Sequence, residues 1–99
     1  MAFVQVIEFT TTKYDEVRAI SDEFVNTRQS AGGPKPKSVL HLKDRDRPNT
    51  YRTVARFASY EEAMENSNRD DTAQMAQRIG ALCDDRTFRN FDIIDEVTL

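Results

Sequence analysis

Ninety-nine residues with 38% apolar and 31% charged side chains suit one small soluble domain, residues 1–99, with a thin core. A net charge of −3 and a pI near 5.1 argue against a general binder of nucleic acid or anionic membrane. One cysteine, Cys83, and one histidine, His41, exclude an intramolecular disulfide framework, a cysteine-cluster zinc site and a multi-histidine metal centre.

Phe3 to Phe9 has strand composition, with Phe3, Gln5, Ile7 and Phe9 on one face and Val4, Val6 and Glu8 on the other. Both faces are mostly apolar, which predicts a central strand covered on both sides. Thr12 is the expected N-cap of the next element, and Tyr14, Val17, Ile20, Phe24 and Val25 recur at three- and four-residue steps, as in an amphipathic helix. Gly32-Gly33-Pro34 ends it, and residues 29–37 form a connector too short to link domains.

Ser38 to Lys43 is the second strand, with Leu40 and Leu42 on one face and Val39, His41 and Lys43 on the other. Asp44 to Asn49 is a charged turn, and Tyr51 to Phe57 returns as the third strand to make a hairpin. Ser59 and Glu62 then form a capping box, which turns a strand into a helix marked by Ala63 and Met64. Asp70 and Asp71 restart the helix after Asn66-Ser67-Asn68, Asp71 with Gln74 making a second capping box. Met75, Ile79, Leu82 and Cys83 lie on its apolar stripe, with Asp84-Asp85 at its close. Phe88 to Val97 is the expected last strand. The longest apolar run, Met1 to Val4, is far short of a signal-peptide core or a membrane span, so a cytoplasmic protein is the default reading.

The order β-α-β-β-α-β predicts an α+β, ferredoxin-like fold: a four-stranded antiparallel sheet with helices on one face and a broken second helix. Helices cover only one sheet face, yet strand one carries Phe3, Ile7 and Phe9 on one side and Val4 and Val6 on the other, so a second copy of the chain is the cheapest cover for the remaining face. Arg52, Val54 and Arg56 make a strand face too charged for a helix-packed core.

This order, together with Phe57-Ala58-Ser59-Tyr60-Glu61-Glu62-Ala63, Leu82-Cys83-Asp84-Asp85 and Phe88-Arg89-Asn90-Phe91-Asp92, resembles the dimeric α/β-barrel superfamily over nearly the whole chain. The similar small members are the antibiotic-biosynthesis-monooxygenase-like proteins. The resemblance implies a homodimer that binds a small aromatic or polyketide-like molecule. If the protein is an enzyme, it implies cofactor-free monooxygenation or isomerisation. The alternative is a non-catalytic ligand-binding or assembly module. The related haem-degrading enzymes use a strand asparagine, a helical tryptophan and a helical histidine. Here Gln5 stands near the first, tryptophan is absent and His41 lies on a strand, which disfavours haem chemistry.

His41, Arg52 and Arg56 are the candidate ligand-binding residues, with His41 the candidate catalytic acid or base. A suitable hairpin register would gather them into one cationic cluster. The alternative places His41 half-solvated on an edge strand and pairs the arginines with Glu8 or Asp95. Tyr51, Asn90 and Asp92 are further strand residues able to line a cavity, and Cys83 reads as a buried small hydrophobe. The glycine-bearing motif of RNA-binding sheets is missing from Arg52-Thr53-Val54-Ala55-Arg56-Phe57. The expectation is therefore no nucleic-acid, membrane, metal or cofactor partner.

Overall fold

The structure, a computed structural model, describes residues 1–99. The elements are β1 (Phe3–Thr10), α1 (Tyr14–Ala31), β2 (Ser38–Lys43), β3 (Thr50–Phe57), α2 (Tyr60–Ser67), α3 (Asp70–Gly80) and β4 (Asp85–Asp92). This is the expected α+β, ferredoxin-like order, with the second helix broken between α2 and α3. The strands pair antiparallel in the order β2-β3-β1-β4, which makes β1 central, as its two apolar faces require. No helix is long and apolar enough to cross a membrane.

Capping chemistry explains most element boundaries. Ser59 Oγ accepts the backbone N–H of Glu62 at 3.1 Å and starts α2. The start of α1 differs from expectation: Thr11, not Thr12, is the structural threonine. Its hydroxyl accepts the Lys13 N–H at 2.9 Å and donates to the Leu82 carbonyl at 2.6 Å, joining the head of α1 to the turn before β4. Asp71 does not cap α3 either: the helix already begins at Asp70, so Asp71 lies within its first turn, where its carboxylate accepts from Arg28 and Arg69.

The last strand runs Asp85–Asp92, three residues earlier than expected at its start and five at its end. β1 dictates both limits. Its last residue, Thr10, pairs with Asp85 and its first, Phe3, with Asp92, so beyond Ile93 N–H, which donates to the Ala2 carbonyl, no strand remains to pair with. Asp84-Asp85 consequently lead into β4, and α3 ends at Gly80.

The tight core is small: Phe3, Phe57 and Ala63, with Ala55 and Met64 packed against them and the Tyr60 ring edge-on to Phe3 at 5.4 Å. Each buried Phe contributes about 2–3 kcal/mol. At the other end of the sheet Tyr51 stacks between Phe9 and Tyr14, with ring centroids at 5.7 and 4.3 Å.

A polar clasp holds the helices together. Arg28 is 1% exposed, lies 4.7 Å over the Phe24 ring, and donates to Asn66 Oδ1 (2.7 Å), both oxygens of Asp71 (2.9 and 3.0 Å), Thr72 Oγ1 (3.0 Å) and the Pro34 carbonyl. One guanidinium thus joins α1, the α2–α3 junction and the connector. Gly32 and Gly33 take φ of +82° and +94° where α1 ends, and a Cβ on Gly33 would lie 2.8 Å from Arg69 Nη1.

Candidate functional site

Strand register decides which side chains meet. Phe3, Gln5, Ile7 and Phe9 pair across to Phe57, Ala55, Thr53 and Tyr51, and Thr53 pairs onward to His41. Because side chains alternate, this row set faces the helices, while Val4, Val6, Glu8, Arg52, Val54, Arg56, Leu40 and Leu42 face away from them.

The helix-facing set does not close against the helices. Between sheet and helices lies a cavity of about 320 Å³. Ile7, Phe9 and Ala55 form its floor, Val17 and Phe24 of α1 one wall, and Met75 and Ile79 of α3 the other. Small-molecule sites span about 300–1,000 Å³ and are mostly apolar with a few polar groups. Here those polar groups include His41, Gln5, Thr53, Ser21 and Arg86.

His41 sits on edge strand β2 at the rim of this cavity. Burial lowers its pKa from the ordinary histidine value and the Arg18 charge lowers it further, against a smaller opposing pull from Asp22. The imidazole is therefore neutral at pH 7, with one ring nitrogen free to accept a proton. Arg18 is itself held by Asp22 one helical turn on, at 2.9 Å.

Arg52 and Arg56 do not join His41. His41 pairs with Thr53, an even step away from neither arginine, so the three candidates divide between opposite faces of the sheet and form no single cluster. On the far face Glu8 Oε1 accepts from Arg52 Nε (2.9 Å) and Arg47 Nη2 (2.8 Å), and these hydrogen bonds hold the Glu8 carboxyl below its usual range. Arg56 pairs with Glu96 at 3.1 Å, rather than with Asp95. Of the other strand residues singled out, Tyr51 is stacked between two rings, and Asn90 accepts from Gln5 Nε2 at 3.3 Å. Cys83 is partly buried, and burial raises its thiol pKa.

Two arginines escaped the sequence reading. Arg28 continues the helical steps Val17, Phe24 and Arg28, a periodic signal that was there to be read. Arg86 escapes because the expected strand begins at Phe88, three residues after the true start of β4. It faces the helices, lines the cavity, donates to the Ala76 carbonyl near the end of α3 at 2.7 Å and lies 5.0 Å over the Phe88 ring. No carboxylate is within ion-pair distance of it among the salt bridges of the molecule. Its place depends on Gly80, where a Cβ would lie 2.9 Å from Nη2. No group of three or more His, Cys, Asp or Glu side chains is arranged to hold a metal ion.

Fold and cavity together define a ferredoxin-like α+β domain with an apolar chamber under its helices, the fold of the antibiotic-biosynthesis-monooxygenase-like proteins. SnoaB of Streptomyces nogalater, a cofactor-independent oxygenase, is 15% identical with a TM-score of 0.80, over 97% of this chain and 96% of its own. A proposed antibiotic biosynthesis monooxygenase of Caulobacter crescentus is 11% identical with a TM-score of 0.78, over 95% and 91%. Rv0793 of Mycobacterium tuberculosis is 14% identical with a TM-score of 0.76, over 99% and 100%. No family model and no curated protein sequence matches the chain.

Proposed function

We propose that the protein is a homodimer whose subunits each bind a small, flat aromatic or polyketide-like molecule between sheet and helices and oxidise it with dioxygen, without a cofactor. The observation that carries this reading is the apolar cavity with a neutral histidine at its rim and an arginine without a carboxylate partner in its wall. His41 and Arg86 stand on the two edge strands, three strand spacings or roughly 14 Å apart at the backbone, a span that suits an elongated ring system.

In this reading His41 takes a proton from an activated ring carbon onto its free nitrogen, and the electron pair left behind delocalises onto a ring oxygen facing the Arg86 guanidinium. The carbanion gives one electron to dioxygen. The resulting radical pair combines into a C–O bond, the peroxide anion takes back the proton held by His41, and the hydroperoxide loses water to leave a carbonyl. Overall a CH₂ becomes C=O, and one dioxygen supplies the new oxygen and the oxygen of water. The low polarity of the cavity floor favours this route because it admits dioxygen and the apolar ring system of the substrate while excluding bulk water.

The dimer completes the other face. Leu40 is 58% and Phe91 48% exposed, with Val4, Val6 and Val54 between them and charged pairs around them. An apolar patch rimmed by polar groups marks an interaction surface, and a second copy presents the same patch about a twofold axis. A non-catalytic binding module would keep the cavity and lose the turnover. Oxygen uptake with dihydroxyanthrone as probe separates the two: stoichiometric oxygen consumption and quinone formation above the uncatalysed rate support the enzyme, and tight binding with no acceleration leaves only the module.

A further inference from the structure

His41 is reached from outside by two grooves, and they differ in charge. One runs between α1 and β2 over the connector and is bordered by Arg18, Asp22, Arg28, Lys35 and Lys37. The other runs past the head of α1 and is bordered by Lys13, Lys43, Asp15 and Glu16, in which acids balance bases. In the first groove four basic side chains face one acid, although the whole chain carries −3.

The first groove also shares more of its lining with the cavity than the second, which meets it at Tyr14 and His41. Arg18, Phe24, Val25, Pro36, Val39 and His41 border both. Of its cations, Arg18 is neutralised by Asp22 and Arg28 by Asp71, which leaves Lys35 and Lys37 exposed with no carboxylate partner. Their carrier loop is fixed: Arg28 donates to the Pro34 carbonyl from below, and the Lys37 N–H donates to the Arg56 carbonyl.

We infer that the ligand enters between α1 and β2, and that Lys35 and Lys37 select one bearing an anionic group, which stays at the mouth while the apolar body passes His41 into the cavity. The preferred ligand is then an aromatic or polyketide-like acid, favoured over an otherwise similar neutral molecule. An anion there gains two cations in a mouth bordered on its inner side by Val25, Pro36 and Val39, whose low polarity strengthens the attraction over that in open water. This inference rests on the cavity being the ligand site proposed above.

Two matched fluorescent probes test it on the full chain: anilinonaphthalene sulfonate, which is anionic, and phenylnaphthylamine, its neutral counterpart. At low salt the sulfonate binds about five- to tenfold more tightly than the neutral probe, and the advantage fades as ionic strength rises. The double variant Lys35→Glu/Lys37→Glu abolishes the preference and leaves the neutral probe's affinity unchanged, and Lys13→Glu/Lys43→Glu leaves both affinities unchanged. Ala55→Phe, which fills the cavity floor, removes both signals. Equal binding of the two probes, or a preference that follows Lys13 and Lys43, overturns this inference while the cavity reading stands. Failure of both probes to bind, or binding that survives Ala55→Phe, overturns both.

Discussion

The two faces of the sheet are built from alternate residues of the same strands, and they carry opposite chemistry. On the helix side, β1 to β3 present Ile7, Phe9, Thr53, Ala55 and His41, a largely apolar lining that stops short of filling its space. On the other side, Val4, Val6 and Val54 form an apolar centre framed by Glu8 with Arg52 and Arg47, and by Arg56 with Glu96. One face encloses a hollow and the other lies open. The lesson is that charge on a strand need not mark the site. The arginines that stand out in the sequence are satisfied by neighbouring carboxylates, whereas Arg86 in the cavity wall has no such neighbour.

This contrast can be broken at several points. The largest effect is expected from Arg28→Met, which empties the clasp under the helices, takes the Arg28 hydrogen bonds from Asp71, Thr72 Oγ1 and the Pro34 carbonyl, and leaves Asn66 Oδ1 only the long bond from the Thr72 hydroxyl. Stability should fall by about 3 kcal/mol, or roughly 10–20 °C in Tm by circular dichroism, with the hairpin face unaffected. An unchanged Tm would mean the clasp does not hold the cavity wall.

Next comes His41→Gln, expected to lower the oxygenation rate about hundredfold or more with little change in Tm. In the wild type only the neutral imidazole accepts a proton. The rate should therefore rise with pH through a midpoint below the ordinary histidine value of 6.5 and then level off. Arg18→Gln removes a cation that lowers this pKa and frees Asp22, which raises it, so the midpoint should move upward. A midpoint that stays put would show that Arg18 does not act on the base.

The open face is probed by Val54→Asp. It should reduce the mass seen by light scattering from twice the chain mass to 11.4 kDa, while probe binding in the cavity persists. Loss of both together would tie the cavity to the dimer.

The smallest effect concerns acid. Glu8, Asp44, Asp71 and Glu96 have carboxyls held below their usual range. For Glu8 the Arg52 and Arg47 hydrogen bonds do this, and for Asp44 the Asp46 N–H. For Glu96 it is Arg56. At Asp71 partial burial opposes the shift, but the Arg28 and Arg69 hydrogen bonds outweigh it. Their contribution is present above the unfolded carboxylate pKa and is lost as pH falls through the folded values. His41 acts earlier: below about 6.5 the unfolded chain takes up its proton first, which also costs stability on acidification. Urea midpoints should accordingly decline from pH 7 to pH 4. Glu8→Gln should shift the midpoint at pH 7 only slightly and flatten the acid part of the curve.

Local rules carried the reading of the fold a long way. The Ser59 cap, the glycines after α1 and the alternation of β1 each act within a few residues and were legible as such. The site was legible in part: His41 stood out because it is the one side chain that titrates near neutrality, and the face Arg52–Val54–Arg56 was too charged to lie under helices. Arg86 was missed because its role depends on a guanidinium meeting the end of α3 across an opening at Gly80.

What the sequence determined by itself, then, was the order of elements and the parity of each strand, since both follow from spacing along one segment. Only the tertiary structure decided that His41 and the two arginines look in opposite directions, because that depends on hairpin register, where a shift of one residue turns every side chain over. It alone decided too that β4 begins at Asp85 and ends at Asp92, since those limits belong to the partner strand β1. The hollow under the helices is likewise a property of elements meeting: no segment encodes an empty volume, and the clasp at Arg28 that holds its wall joins residues up to 44 positions apart.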